Sequence, residues 1–335
     1  MAGRVARYAA PDIGAERHPV RRPLHERVVL LRVGRWTLVN FGLFAAVGGF
    51  LAAWSVSARQ LQAGMPVGSY LLALALGVPI LALVGSRLCA LVVEEWRDFL
   101  QAPLETLART TLAWQGGFAL VTAGVLALAA WYDLDPLAFI DTFAFAVPLG
   151  QAFGRVGCHT YGCCHGRPTR SRWAITVHNP DSKVVWGSGL RGVPLHPVQA
   201  CSAAANLALA VVLGLLALAG PFAAGTVSAV YLVLDGLKRL GLERFRGNPS
   251  PRYACLTPYA WFAIVQAVVG LGVAWLSIGR APVDFTGVGA LAFAFASSAR
   301  YLPAYLLAFV LMFALFGVHR GRPGSVRRLP GEEAA

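Results

Sequence analysis

Long apolar stretches with few or no charges recur along this chain, and they constrain its fold more than any other feature. Most are long enough to cross a hydrocarbon core of ~30 Å as a helix. They fall at about residues 37–58, 68–86, 110–132, 137–153, 198–219, 222–234, 256–279 and 301–318. Charged residues make up 13% of the chain, about half the ~25% of a globular domain, against 57% hydrophobic. The expected fold is all-α: a polytopic transmembrane helical bundle of seven or eight spans, with a small polar head between spans four and five. Gly220-Pro221 divides one charge-free run into two helices, since glycine suits a helix end and proline a helix start. Residues 283–298 are apolar but broken by glycine, and read as a re-entrant or interfacial piece.

Four regions follow: a basic segment at 1–36, a membrane domain at 37–280 with its head at 158–197, additional membrane sequence at 281–318, and a basic tail at 319–335, expected to be disordered. The opening residues have no early apolar core, so a cleavable signal peptide is not expected. The net charge is +13. In a membrane protein such an excess marks cytoplasmic loops and anionic headgroups more often than nucleic acid, and no nucleic-acid partner is expected. The basic stretches are the N-terminus, 94–109, 158–197 and 238–252; one alternate loop holds only Asp133 and Asp135. Charge alone puts the N-terminus inside.

Chemistry concentrates at residues 154–169, GRVGCHTYGCCHGRPT. Glycines admit close backbone approach, arginines grip phosphate, and cysteines serve as nucleophiles or metal ligands. For Cys158, Cys163 and Cys164 three readings stand open: a metal site, a redox or disulfide pair, or the lining of a polar cavity. The C-x4-C-C spacing matches zinc frames poorly, and adjacent cysteines rarely share one ion. No required metal and no cofactor is expected. Cys89, Cys201 and Cys255 read as small apolar fillers.

A charge inside an apolar span costs ~2.5–3.5 kcal/mol on insertion scales unless it faces protein or water. Asp141 sits one turn into the fourth span and Arg155 closes it, while Asp235, Lys238, Arg239 and Glu243 end the sixth. Asp235–Arg239 and Arg239–Glu243 are spaced i,i+4, on one helix face. The group is either an interhelical salt-bridge network or a phosphate pocket in which Arg155 and Arg239 converge.

The order of these features resembles the prolipoprotein diacylglyceryl transferase family. Where that family has F-H-G-G, this chain has Trp114-Gln115-Gly116-Gly117. Residues 154–169 follow the signature G-R-x-G-N-F-x-N-x-E-x-x-G-R-P-T without a gap. His196-Pro197-Val198-Gln199 matches part of H-P-S-Q-L-Y-E, and residues 235–246, DGLKRLGLERFR, lie against Y-G-x-x-R-x-x-x-E-F-x-R. The resemblance covers roughly residues 36–280. Departures are concentrated at the site. Gln115 replaces the family histidine, Cys158 and Tyr161 the signature asparagines, Cys163 the glutamate, Asp235 a tyrosine, and Phe41 a first-span tyrosine. Arg155, Gly166, Arg167, His196, Arg239 and Glu243 are kept.

The resemblance implies a membrane transferase that moves diacylglycerol from phosphatidylglycerol to the thiol of a lipobox cysteine in a lipoprotein precursor. It implies phosphatidylglycerol, the precursor peptide and membrane lipids as partners. Arg155 and Arg239 would hold the lipid phosphate, and Gln115, Cys158, Cys163 and Asp235 would line the site. Gly166, Arg167, His196 and Arg246 would complete substrate binding. Asp235, His159 and His165 are the candidate bases. Two alternatives differ in chemistry: a lipid-phosphate enzyme using Cys163 or Cys164 with another acceptor, or a non-catalytic anionic-lipid-binding or thiol-redox protein. The resemblance implies the outer face of the bacterial inner membrane for the active site, against the loop-arginine reading.

Overall fold

A computed structural model of the chain describes residues 23–93, 95–103, 106, 112–247, 252–283 and 288–321. After a single 3-10 turn at Leu24–Glu26, strands β1 (Val29–Val33) and β2 (Trp36–Val39) form a hairpin that leads into helix α1 (Asn40–Gln62). Helix α2 (Val67–Val93) carries Pro79 in its interior, and a short α3 (Trp96–Gln101) follows. Helix α4 (Trp114–Trp131) is succeeded by α5 (Pro136–Ala144) and α6 (Ala146–Tyr161), which together make one span, Pro136–Tyr161. Asp135 caps α5 by accepting from Leu137 N and Ala138 N, with proline in the first helical turn.

The head holds only the one-turn α7 (Lys183–Trp186) around a small apolar core of Val177, Val184 and Leu195. Helix α8 (Val198–Ala219), strand β3 (Phe222–Ala223), helix α9 (Thr226–Glu243) and helix α10 (Pro258–Leu276) follow. Strand β4 (Pro282–Val283) pairs with β3. Helix α11 (Val288–Ser298) passes through a 3-10 turn, Ala299–Tyr301, into α12 (Leu302–Gly317). Strand β5 (Val318–Arg320) then pairs antiparallel with β2.

Among the described residues, seven helical stretches are long and apolar enough to cross a membrane, and the fold is a polytopic helical bundle. The pairing of β5 with β2 returns the chain to the face on which it started, which demands an even number of crossings. Helix α9 supplies the eighth. Its 18 residues span about 27 Å, but Asp235, Lys238, Arg239 and Glu243 make its second half polar.

Two expectations need correction. The tail does not begin as disordered chain at residue 319, because Val318–Arg320 completes a three-stranded sheet. Residues 291–298 are not a re-entrant or interfacial piece; they belong to a continuous span, Leu291–Gly317. Trp54 Nε1 donates to Ser298 Oγ at 2.8 Å and ties that junction to α1. The basic residues 1–22 and the tail beyond 321 lie outside the described residues.

Small residues set the helix crossings, as packing within lipid requires. A Cβ on Gly116 would lie 2.1 Å from Gly85 O, and one on Gly42 2.0 Å from Gly317 Cα. Thus α4 is held against α2, and α12 against α1. Asp141, the charge inside the fourth span, accepts from Gly225 N at 2.7 Å and Ser228 N at 2.8 Å. It caps α9 from a neighbouring helix, at the end of the bundle remote from the head. On the head face, the Glu26 carboxylate accepts from His178 N at 2.6 Å and Asn179 N at 2.8 Å, joining the N-terminal segment to the head.

Candidate active site

Helix α6 ends at Gly162, whose φ of 80° closes the helix with an N–H donated to Cys158 O at 2.9 Å. A Cβ there would meet Ser182 Oγ at 2.1 Å, so conformation and space both demand glycine. Cys164 follows with φ 55°, a left-handed conformation that costs a non-glycine residue ~1–2 kcal/mol. The turn folds the chain back on itself. The Sγ atoms of Cys158, Cys163 and Cys164 all lie within 4.8 Å of one another. Arg155, one turn earlier on α6, lies within electrostatic reach of all three thiols.

The segment after α9 forms the second wall. Gly166 bridges Arg246; Arg167 N donates to Phe245 O at 2.9 Å and Gly247 N to His165 O at 3.0 Å. His196 N donates to Arg167 O at 3.1 Å. A Cβ on Gly166 would stand 2.2 Å from His196 O, so this three-segment contact closes only around glycine. It carries Arg246 into the electrostatic reach of Cys164.

Helix α9 forms the third wall. Arg239 Nη2 stands 2.8 Å from Glu243 Oε2, and Arg246 Nε 3.7 Å from the same oxygen. Glu243 Oε1 accepts from Thr257 Oγ1 at 2.9 Å. Both guanidiniums lie over the Tyr259 ring, at 5.6 Å and 5.9 Å from its centroid. Lys238 is joined to Asp235 and to Asn206 of α8, while Asp235 accepts from Gln266 of α10 at 2.9 Å. Four cations, Arg155, Lys238, Arg239 and Arg246, therefore face two carboxylates, Asp235 and Glu243. Arg239 Nε is buried without a hydrogen-bond partner among the described residues.

The sequence readings fare unequally here. Arg155, Cys158, Cys163, Arg239 and Arg246 come together, and Arg239–Glu243 pairs as its spacing suggests. Asp235 does not pair with Arg239; it pairs with Lys238 on its own helix and accepts from Gln266 of the neighbouring α10. Gln115 is buried in the first turn of α4, one turn from Phe118, whose ring meets Tyr231 at 6.3 Å. His196 has its ring on Phe245, 5.2 Å away. Arg167 is exposed, its guanidinium 5.9 Å from that same ring, at the rim rather than among the clustered arginines.

Among the candidate bases, His165 is fully engaged, Nδ1 at 3.0 Å from Gly166 O and Nε2 at 2.9 Å from Ser188 Oγ. His159 keeps a buried Nδ1 without a partner among the described residues. Hydrogen bonds with Cys158 and Cys164 push the Cys163 thiol well above the usual range, whereas those from Cys158 and Cys163, then the charges of Arg246 and Arg155, hold Cys164 well below it. Sequence reasoning missed Tyr259, Asn206 and Gln266. Each sits on a different helix from the charge it serves, and periodicity along one helix carries no sign of it.

The prolipoprotein diacylglyceryl transferase family profile matches residues 28–276. A phosphatidylglycerol–prolipoprotein diacylglyceryl transferase of Parasynechococcus marenigrum is 31% identical over 275 residues, covering 74% of this chain and 93% of that protein. The protein of the same description from Bifidobacterium longum is 29% identical over 255 residues, covering 71% of this chain and 80% of its own length. The match takes in every residue of the three walls just described, and the chain belongs to the prolipoprotein diacylglyceryl transferase family of membrane transferases.

Proposed function

We propose that this chain transfers the diacylglyceryl group of phosphatidylglycerol to the thiol of a lipobox cysteine, at the outer face of a bacterial inner membrane. The observation that carries the reading is the excess of two cations at the junction of α6, α9 and the head, with Arg239 Nε buried and unpartnered. A phosphodiester supplies the missing acceptors. Its relatives bear names that specify phosphatidylglycerol and prolipoprotein.

In this reaction the acceptor sulfur attacks the glyceryl carbon, the carbon–oxygen bond to phosphate breaks, and glycerol phosphate leaves with the electron pair. Charge grows on the leaving phosphate, where Arg155, Arg239 and Arg246 are already in place. Donors aimed at developing charge in a water-poor site lower a barrier by several kcal/mol without reorganising. Glu243, shared between Arg239 and Arg246, fixes their spacing, and Tyr259 supports both planes. The acceptor's proton passes to a base. Of the three candidates, His165 and Asp235 are engaged and His159 retains an unpartnered nitrogen.

Reconstitution tests the reading. Purified protein is incubated with phosphatidylglycerol and a lipobox peptide, and the peptide mass is followed beside an Arg155→Ala variant. A diacylglyceryl adduct that vanishes in the variant is expected. Absence of the adduct in the wild type, with phosphatidylglycerol bound, overturns the proposal.

A further inference from the structure

We propose that Cys158, Cys163 and Cys164 form a binding site for one thiophilic cation of the Zn2+ or Cu+ class. Their three sulfurs lie within 4.8 Å of one another. A Zn–S bond of ~2.3 Å in a tetrahedral site places its sulfurs ~3.8 Å apart, so small side-chain rotations complete the coordination. The C-x4-C-C spacing argued against a shared ion because neighbouring residues in extended chain point to opposite sides. The left-handed pair Gly162 and Cys164 removes that objection. It reverses the chain just past the helix end and turns two adjacent thiols onto the Cys158 of the last turn.

The surroundings favour an anionic thiolate complex. Three thiolates with a divalent ion carry one net negative charge, and with a monovalent ion two. Arg155 and Arg246 both lie within electrostatic reach of Cys164, so outer-shell cations stand ready to balance either complex. Sulfur ligands select soft cations and exclude Mg2+ and Ca2+. Among the described residues these are the three His, Cys, Asp or Glu side chains whose ligand atoms converge. A fourth position stays open for water or an exogenous ligand.

Binding of the ion needs no lipid and does not rest on the transferase reading. The test titrates Cd2+ into reduced, detergent-solubilised protein without lipid, following thiolate-to-metal charge-transfer absorption. One Cd2+ per chain is expected, with the amplitude of three thiolates. Cys158→Ser or Cys164→Ser should weaken it by more than the ~10–100-fold loss typical of an outer-shell change. Cys201→Ser and Cys255→Ser, at exposed thiols outside the triad, should leave it unchanged. A second measurement uses the wild type alone: Cd2+ should protect Cys158, Cys163 and Cys164 from iodoacetamide while Cys201 and Cys255 stay reactive. No charge-transfer band from fully reduced protein, a band that persists when Cys158 and Cys164 are both serine, or no protection of the triad would overturn the proposal.

Discussion

Arg239 and Glu243 form a one-turn clamp at the end of α9: the guanidinium sits 2.8 Å from a carboxylate that also serves Arg246 and Thr257. Their side chains are each 14% exposed, so the pair is shielded from most solvent screening. Removing one partner of such a pair leaves an uncompensated charge and costs about 3 kcal/mol or more. Glu243→Ala should therefore lower thermal stability in detergent and scatter the two guanidiniums. Glu243→Gln keeps an acceptor for Thr257 and should lose less. Equal melting temperatures for Glu243→Ala and the wild type would contradict this account.

Gly162 is required for two separable reasons. Alanine there must adopt φ near 80° and place its Cβ against Ser182 Oγ. Gly162→Ala should thus be strongly destabilising, whereas Ser182→Gly in the same background should restore part of the loss, leaving the ~1–2 kcal/mol conformational cost and the tight approach to Lys183 N and Val184 N. Denaturation midpoints of the single and double variants measure the coupling.

The membrane class and most spans were legible because a bilayer demands apolar runs of fixed length. What escaped was whatever depends on partners from another helix. The apolar run at 222–234 and the helical spacing of the charges after it are both legible, but not how those charges are satisfied: Asn206 and Gln266, on α8 and α10, bond Lys238 and Asp235. The same cross-helix contacts turned Asp235 away from Arg239. The cysteine cluster was visible as composition, but its convergence depends on two left-handed residues that spacing rules cannot register. Arg155 and Arg239 were found because a charge within an apolar run is costly wherever it lies.

Close approach of α2 and α4 rests on Gly85 and Gly116. Gly116→Ala drives a methyl group into Gly85 O and Cys89 Cβ, at 2.1 and 2.2 Å. Folded yield in membranes should fall sharply. Gly214→Ala on α8, where nothing lies within 4 Å of an added Cβ, should leave yield intact. Similar yields for both variants would show that the crossing tolerates separation.

Cys255 is exposed between α9 and α10, on the face that also carries the head. If the site faces outward, a membrane-impermeant maleimide added to intact cells should label it, with Cys255→Ser as the control. Labelling only after lysis would put this face, and the arginines with it, inside, as loop charge alone suggests.

The two arginines of the 154–169 stretch should differ sharply in function. Arg155 reaches the thiols and the α9 cations, while Arg167 is exposed and rests near the Phe245 ring. Loss of one preorganised donor to developing charge typically costs ~100-fold or more in turnover. Arg155→Ala should lose at least that much in kcat. Arg155→Lys should recover only part of it, since an ammonium cannot reproduce the planar fork. Arg167→Ala should stay within about tenfold of wild type and act chiefly on KM, as expected for a group that binds ground state and transition state alike. Comparable kcat losses at the two positions would mean that the head closes over the lipid during turnover and brings Arg167 in among the other cations.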